Sequence, residues 1–302
     1  MQSINPYHNP VLLRESIDGL AIIPNGIYVD VTYGGGGHSR EILSRLGEDG
    51  KLFAFDTDKD AHKNAIDDER FILIPENFRF IKRFLRFYGV KKVDGVLADL
   101  GVSSHQFNEA DRGFSTRFDA KLDMRMNQEM KVSAYDVVNE YEQEAVANIL
   151  FQYAELRAAR GMAKAIVTAR EIKPIQTTFE LRDAIASFLP KGREYKIMAQ
   201  VFQAIRIEVN QEIQVLKEFL LQIPEILTDE GRLSVISYHS LEDRLVKRFL
   251  RNGMFSGEPE RDMYGRFEVP MKKVGKLIVP STAEIKINNR ARSAKLRIGK
   301  KS

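Results

Sequence analysis

Val93-Asp94-Gly95-Val96-Leu97-Ala98-Asp99-Leu100-Gly101-Val102-Ser103-Ser104-His105-Gln106 is the stretch whose reading decides the fold. The apolar run over 93–97 reads as a buried strand, and an acid, a glycine and hydroxyls stand where that strand must end. In an open α/β sheet, ligands bind outside the carboxyl ends of the strands. A second end of this kind lies upstream, in Asp30-Val31-Thr32-Tyr33-Gly34-Gly35-Gly36-Gly37-His38. Two polar, glycine-bearing strand ends in one sheet suggest a cofactor and a substrate meeting at one edge, and therefore an enzyme.

Working outward, strands are expected at 27–31, Lys51–Phe55 (closed by Asp56), Phe71–Ile74 and Val93–Asp99. Between them, apolar residues at helical spacing predict helices over 39–46, 58–66 and 81–88, with Gly47-Glu48-Asp49-Gly50 as a turn. This alternation argues for an α/β fold with a parallel, doubly wound sheet. The rhythm then breaks. Helical spacing dominates 141–153, 158–171, 178–187 and 199–221, with Thr177/Thr178 and Glu180 as a helix start. The sheet resumes at 231–238, and the charged, Gly/Pro-bearing stretch 252–276 reads as a loop. The expected organisation is a discontinuous sheet domain, 1–105 with 208–302, carrying an inserted helical domain, 106–207.

Composition narrows the class. The 302 residues are 43% hydrophobic and 29% charged, enough for a substantial core. No run resembles a secretory signal or a membrane span. Cysteine is absent, which rules out disulfides, thiolate nucleophiles and zinc–cysteine sites, and fits the cytoplasm. The five histidines show no i, i+4 pair, so no metal is expected. Net charge is only +4, but residues 285–302 hold seven Lys/Arg and no acid. Such a segment is either a solubilising tail or a phosphate contact.

The glycines at 34–37 let the backbone approach a ligand closely, and the helix start behind them offers free N–H groups. Asp56, about twenty residues on, suits a ribose diol. The spacing is not G-x-G-x-x-G, and an acid at Asp30 suits a cationic, amino-bearing ligand better than a pyrophosphate. S-adenosylmethionine fits that description, which tilts the reading toward a methyltransferase. A nicotinamide-dependent oxidoreductase and a non-catalytic RNA-binding protein remain open. Asp99 is the expected catalytic group, orienting an exocyclic amine and accepting its hydrogen, and a helix cap is its plainer role. Ser240 with Asp243 reads as a capping box, which puts His239 at the same edge. Arg112-Gly113-Phe114 resembles nucleic-acid-binding usage. Phe202, Arg206 and Asn210 share one helical stripe, with Arg206 and Asn210 as candidates for the cleft. No G-x-S-x-G elbow supports a hydrolase.

Taken together, the chain resembles the ribosomal RNA small subunit methyltransferase H (MraW) family. The matching pieces are His8-Asn9-Pro10-Val11-Leu12-Leu13-x-Glu15, Asp30-x-Thr32-x-Gly34-x-Gly36-Gly37-His38-Ser39, Asp99-Leu100-Gly101-Val102-Ser103-Ser104-x-Gln106, Arg112-Gly113-Phe114-Ser115, Leu122-Asp123-Met124-Arg125-Met126, Phe202-Gln203-Ala204-x-Arg206-Ile207-x-Val209-Asn210, His239-Ser240-Leu241-Glu242-Asp243-Arg244 and Arg290-Ala291-Arg292-Ser293-Ala294-Lys295-Leu296-Arg297. They run through nearly the whole chain in order. The resemblance implies a class I S-adenosylmethionine-dependent methyltransferase with a Rossmann-like doubly wound sheet and an inserted, mostly helical domain. It implies N4-methylation of a cytidine in the decoding region (P site) of 16S rRNA in the small ribosomal subunit, and leaves open whether the chain pairs as a homodimer. Carried over, the cofactor contacts fall on Gly36, Gly37, His38, Asp56, Phe78, Asp99 and Gln106, to which the reading of the glycine turn adds Gly34. Apart from the resemblance, the candidate substrate-binding residues are Ser103, Arg112, Phe114, Arg206, Asn210, His239, Arg290 and Arg292. The sequence departs from the family pattern at Ala120-Lys121, Tyr153-Ala154-Glu155-Leu156 and Ile197-Met198-Ala199, all in the helical region.

Overall fold

The computed structural model describes residues 10–103, 106–107 and 109–302. His105, Ser104 and the His8-Asn9 pair lie outside the described residues. The chain divides into two units: residues up to Gly101 together with Ile213–Ser302, and Val102–Glu212.

The first unit is built on one seven-stranded sheet in the order β3-β2-β1-β4-β5-β7-β6. The strands are β1 Ile27–Asp30, β2 Lys51–Phe55, β3 Phe71–Ile74, β4 Val93–Asp99, β5 Leu227–Ser237, β6 Met271–Ile278 and β7 Lys295–Lys301. The β1–β5 pairings are parallel, and β7 enters antiparallel between β5 and β6. The chain winds outward from β1 to β3, then returns to place β4 on the other side of β1. That reversal opens the crevice at the carboxyl ends of β1 and β4.

Side-chain alternation supplies both faces of the sheet. Tyr28, Leu52 and Leu97 bury against Ile17 and Leu20 of α1 (Leu13–Leu20) and Ile42 and Leu43 of α2 (Gly37–Arg45). Their neighbours Val29, Phe53 and Val96 face the opposite way. These pack with α4 (Ile81–Phe87), α10 (Glu212–Ile226) and α11 (Ser240–Asn252) through Ile81, Phe219 and Phe249. Phe53, Phe219 and Phe249 are all but fully buried, each stabilising the unit by roughly 1.5–3 kcal/mol.

The second unit is helical: α5 (Ala134–Glu140), α6 (Gln143–Ala154), α7 (Ala159–Ile172), α8 (Thr178–Ala184) and α9 (Glu194–Asn210). Its core gathers Met124, Val138, Leu150, Ile166, Leu181 and Val201. Helix α8 starts with the expected box, in which Thr177 Oγ1 accepts from Glu180 N and the Glu180 carboxylate accepts from Thr177 N. Helix α5 was not anticipated, although Ser133 and Asp136 form a reciprocal box at its start.

Several expectations are corrected. The helix over 58–66 shrinks to α3 (Lys59–His62), one turn capped by the Asp58 side chain. The helix over 199–221 is two helices, because Gln211 is left-handed with φ 53° and ends α9 before α10 begins. Part of the expected loop 252–276 is edge strand β6, and the last part of the basic terminus is strand β7 (Lys295–Lys301) rather than a solvated tail. The capping box of α11 joins His239 to Glu242, not Ser240 to Asp243. Asp243 instead meets Arg297 Nε at 2.7 Å and Lys295 Nζ at 3.2 Å. Burial alone would raise its carboxyl, but those two cations outweigh it and hold it below the usual range. No described helix is long and apolar enough to cross a membrane.

Candidate active site

The turn after β1 is shaped by its own backbone. Gly36 sits at φ 73°, where a Cβ would press on the Tyr33 ring at 2.8–2.9 Å, so this position requires glycine. Gly34 is also left-handed, at φ 53°. A Cβ on Gly37 would strike Pro10 at 2.2 Å. Gly35 differs: its φ is unremarkable, and a Cβ there would project into open space. Nothing within the fold therefore demands glycine at Gly35.

Asp30 is fully buried, and burial pushes its carboxyl up. It accepts from Ser39 Oγ at 2.7 Å and from Thr32 N at 3.1 Å. Its work is to tie the turn to α2, not to present a free charge to a ligand as the sequence suggested. Thr32 completes the clamp, its Oγ1 accepting from Asp99 N at 2.7 Å. The ends of β1 and β4 are thereby locked together.

Asp56, at the end of β2, accepts from Gly34 N and Asp58 N, each at 2.8 Å and each on a different oxygen. One lone pair per oxygen remains, which suits a diol. Burial raises this carboxyl to about 6. Phe78 lies in a short 3-10 turn, Phe78–Phe80, and stands edge-on to Phe219 at 5.2 Å.

Asp99 closes β4 with a side chain 22% exposed. Tyr238 OH donates to its Oδ1 at 2.8 Å. Oδ2 has no hydrogen bond among the described residues, and His38 Nδ1 lies 3.8 Å from it. The other nitrogen of His38, Nε2, is 3.2 Å from Val11 O. A carbonyl only accepts, so Nε2 carries the hydrogen, and Nδ1 of the neutral ring is bare. His38 is 6% exposed. Burial lowers its pKa, with Asp99 pulling the other way. Burial raises the Asp99 carboxyl to about 6, against the opposing pull of His38 and Tyr238. The group is thus poised near neutrality, as acid–base work requires.

The structure brings Gly34, Gly36, Gly37, His38, Asp56, Phe78 and Asp99 to the carboxyl ends of β1–β4 in the first unit. Sequence reasoning missed Tyr238 as a site residue. The parallel register sets Asp99 opposite Ile236, two residues before it, and that register is not readable from local sequence. His239 caps α11, its Nδ1 accepting from Glu242 N at 3.5 Å.

In the helical unit, Gln106 is buried; its Oε1 accepts from Ser103 N at 3.0 Å and its N donates to Ser103 Oγ at 3.2 Å. Arg112 is buried, donates to the carbonyls of Arg125 and Met126, and lies 5.5 Å from the buried Phe114 ring. Asn210 is buried too: it accepts from Met126 N and donates to Met124 O and Arg206 O. Arg206 makes a bidentate pair with Glu212 at 2.8 and 2.9 Å. These residues have partners inside their own unit: Gln106, Arg112 and Asn210 satisfy backbone groups, and Arg206 is neutralised by Glu212. Arg290 and Arg292, by contrast, are exposed on the turn before β7.

An antiparallel β7 between β5 and β6, a glycine turn after β1, an acid after β2 and a carboxylate after β4 define the fold of class I S-adenosylmethionine-dependent methyltransferases. The chain belongs to the MraW methylase family, whose sequence model matches residues 5–302. It is similar to the ribosomal RNA small subunit methyltransferase H of Christiangramia forsetii, at 67% identity over all of both chains. It is likewise similar to that of Flavobacterium johnsoniae, at 66% over all of both chains. At 53% it is similar to that of Bacteroides thetaiotaomicron, over 98% of this chain and 97% of the relative. Among solved structures, it is similar to an rRNA methylase from Streptococcus thermophilus over 97% of this chain and 98% of that one, at 13% identity and TM-score 0.43.

Proposed function

We propose that this methyltransferase moves a methyl group from S-adenosylmethionine to N4 of a cytidine in the decoding region (P site) of 16S rRNA, acting on the small ribosomal subunit in the cytoplasm. The rRNA target follows the names of the relatives. The amine chemistry rests on one observation: a carboxylate raised to about 6, with Oδ1 held by Tyr238 and Oδ2 without a hydrogen bond among the described residues, at the rim beside the glycine turn.

The turn fits the donor, since the open space beside Gly35 is what a ligand lying against the backbone requires. Gly34 to Gly37 would receive its methionine part, Asp56 its ribose and Phe78 its adenine. Gln106 belongs to this proposal by resemblance alone. When bound, S-adenosylmethionine supplies an electrophilic methyl on a sulfonium.

Asp99 Oδ2 accepts one N4 hydrogen of the cytosine, aligning the nitrogen lone pair with the methyl carbon. Methylation of that nitrogen would leave one surplus N4 proton, and Oδ2 would take it. The bare His38 Nδ1 stabilises the protonated carboxyl as a second acceptor, and solvent then takes the proton. The base must be unpaired or turned out to reach this rim.

For substrate, Arg290 and Arg292 contact phosphate and His239 borders the base, while Ser103 stays a substrate candidate of the helical unit. Arg112, Phe114, Arg206 and Asn210 shape the helical unit that receives the RNA. The test is nucleoside analysis of small-subunit rRNA from cells with and without the protein. Loss of N4-methylcytidine, restored by the wild type and not by Asp99→Asn, is expected. Unchanged N4-methylcytidine overturns the reading.

A further inference from the structure

Residues 77–93 hold six cations (Arg79, Lys82, Arg83, Arg86, Lys91 and Lys92) and no acid. Helix α4 sorts them. Ile81 and Leu85 bury its inner face, while Arg83, Arg86 and Phe87 share the outer face at i, i+3 and i+4. Phe80 continues that stripe one turn earlier, and Tyr88 flanks it. Phe80 is 41% exposed, Phe87 79% and Tyr88 42%. Tyr88 rests partly on the buried Phe53 ring at 5.6 Å and Phe80 lies under Arg79 at 5.9 Å, but Phe87 stands outside the core, touching only the edge of Tyr88 among the described rings.

The acids brought up by the neighbouring helix cancel only one side of this charge. Glu218 pairs with Arg79 at 2.7 Å, and Glu225 pairs with Lys82. Arg86 adds a weaker pull on Glu225. Lys92 donates to the carbonyls of Glu225 and Leu227. Arg83 and Lys91, both exposed, have no ion pair or hydrogen bond among the described residues.

We infer that the outer face of α4, from Phe80 to Lys91, is a second RNA-docking surface, apart from the candidate active site. Arg83, Arg86 and Lys91 meet phosphates, and Phe87 with Tyr88 offers a ring face to an unpaired base. Cations interleaved with exposed aromatics match the two faces of RNA, a charged backbone and flat bases. An acidic protein surface offers charge but no planar partner for the rings. The inference rests on the rRNA reading above and adds a place on the molecule where that RNA is held.

Two variants of the full chain test it: Arg83→Gln with Lys91→Gln, and Phe87→Ala. All three positions are exposed, so unchanged melting temperatures check the fold. The probes are purified small ribosomal subunits and protein-free 16S rRNA, titrated over a range of salt. The double variant is expected to bind both probes several-fold more weakly, with the slope of log affinity against log salt falling by about 0.7–0.9 per cation removed. KM for the subunit rises correspondingly, while kcat and S-adenosylmethionine affinity stay put. Phe87→Ala is expected to weaken binding without changing the slope. Wild-type affinity and slope in the double variant overturn the surface, leaving a solvated face. Weakening toward subunits but not naked rRNA also overturns it, in favour of an acidic protein partner. Failure of the wild type to methylate subunits would count against the rRNA reading, a separate result from a changed slope.

Discussion

His38 Nδ1 faces Asp99 Oδ2 at 3.8 Å, two acceptors aimed at each other in a largely buried setting. A single proton between them is favourable, and its absence leaves both groups poorly solvated. The site is therefore arranged to receive one proton, which is what remains on a cytosine amine after methyl transfer. With Asp99 at about 6, the rate of methyl transfer is expected to climb between about pH 5 and 7 as the carboxylate forms. Single-turnover rates across that range check this, and a flat profile there removes Asp99 as acceptor.

Asp99→Asn should separate activity from stability. The native carboxyl titrates near 6 against an unfolded value of 3.8, so the folded chain keeps a proton that the unfolded chain has lost. The stability from this group is thus present at low pH and is lost as pH rises from about 3.8 through 6. Asparagine keeps an acceptor for Tyr238 and removes the buried charge. The variant is expected to lose methyl transfer by about 10²–10⁴-fold and to gain roughly 1–3 kcal/mol of stability at pH 7.5. Denaturant melts at pH 7.5 and pH 4 check the sign, since the gain should shrink at the lower pH.

Tyr238→Phe removes one hydroxyl from Asp99 Oδ1 and little else. That bond helps hold the carboxyl down, so its loss should move the acid limb of the rate profile to higher pH. The carboxylate also loses an orienting partner, and kcat should fall about 10–150-fold, in line with the roughly 1.5–3 kcal/mol of a hydrogen bond to a charged group. S-adenosylmethionine affinity should stay within about twofold. A lower kcat with an unmoved acid limb would leave Tyr238 a packing residue only.

Two glycines one position apart should behave differently. Gly36→Ala forces a side chain into a left-handed φ of 73° against the Tyr33 ring and should cost about 1–3 kcal/mol of stability. Gly35→Ala meets nothing within the fold and should leave the melting temperature unchanged. It should weaken S-adenosylmethionine binding at least tenfold by calorimetry, because the methyl occupies space the ligand needs. Undiminished affinity in Gly35→Ala would place the donor elsewhere.

Asn210→Ala strips partners from Met126 N and the Met124 carbonyl at one stroke. Leaving such buried backbone groups unsatisfied should cost about 2–4 kcal/mol. The effect should show as a lower melting temperature, with raised KM for RNA and unchanged donor affinity. A stable variant with only RNA binding impaired would instead return Asn210 to direct substrate contact.

Local patterns carried the parallel part of the sheet. Short, mainly apolar runs at 51–55, 71–74 and 93–99, each ended by a polar or turn residue, place β2, β3 and β4 without tertiary knowledge. The glycine turn and Asp99 were legible for the same reason, since strand ends in such sheets are where ligands bind. β6 and β7 were not. Lys272, Lys273 and Lys276 hide the alternation of β6, and β7 reads as a charged terminus. Their strand state comes from pairing, with Val235 opposite Arg297 and Val274 opposite Ile298. The break at Gln211 escaped because apolar spacing runs on through it, while a left-handed residue leaves no periodic signal. His239 as an N-cap escaped because Ser240 offered the commoner capping side chain one position later.

What the sequence by itself determined is the kind of molecule: an alternating α/β chain with a polar, glycine-bearing site after β1 and a carboxylate after β4. Those features depend on residues near one another in the chain, and short-range sterics and periodicity suffice to read them. Only the tertiary structure decided how the carboxylate is held. Tyr238, 139 residues away, takes one oxygen, and His38 faces the other. It also decided that Arg112, Arg206 and Asn210 have partners in their own unit, and that Arg83 and Lys91 stay without an ion pair or hydrogen bond among the described residues. Burial and long-range pairing set those roles, because a charge is raised, satisfied or left open by whatever the fold brings beside it.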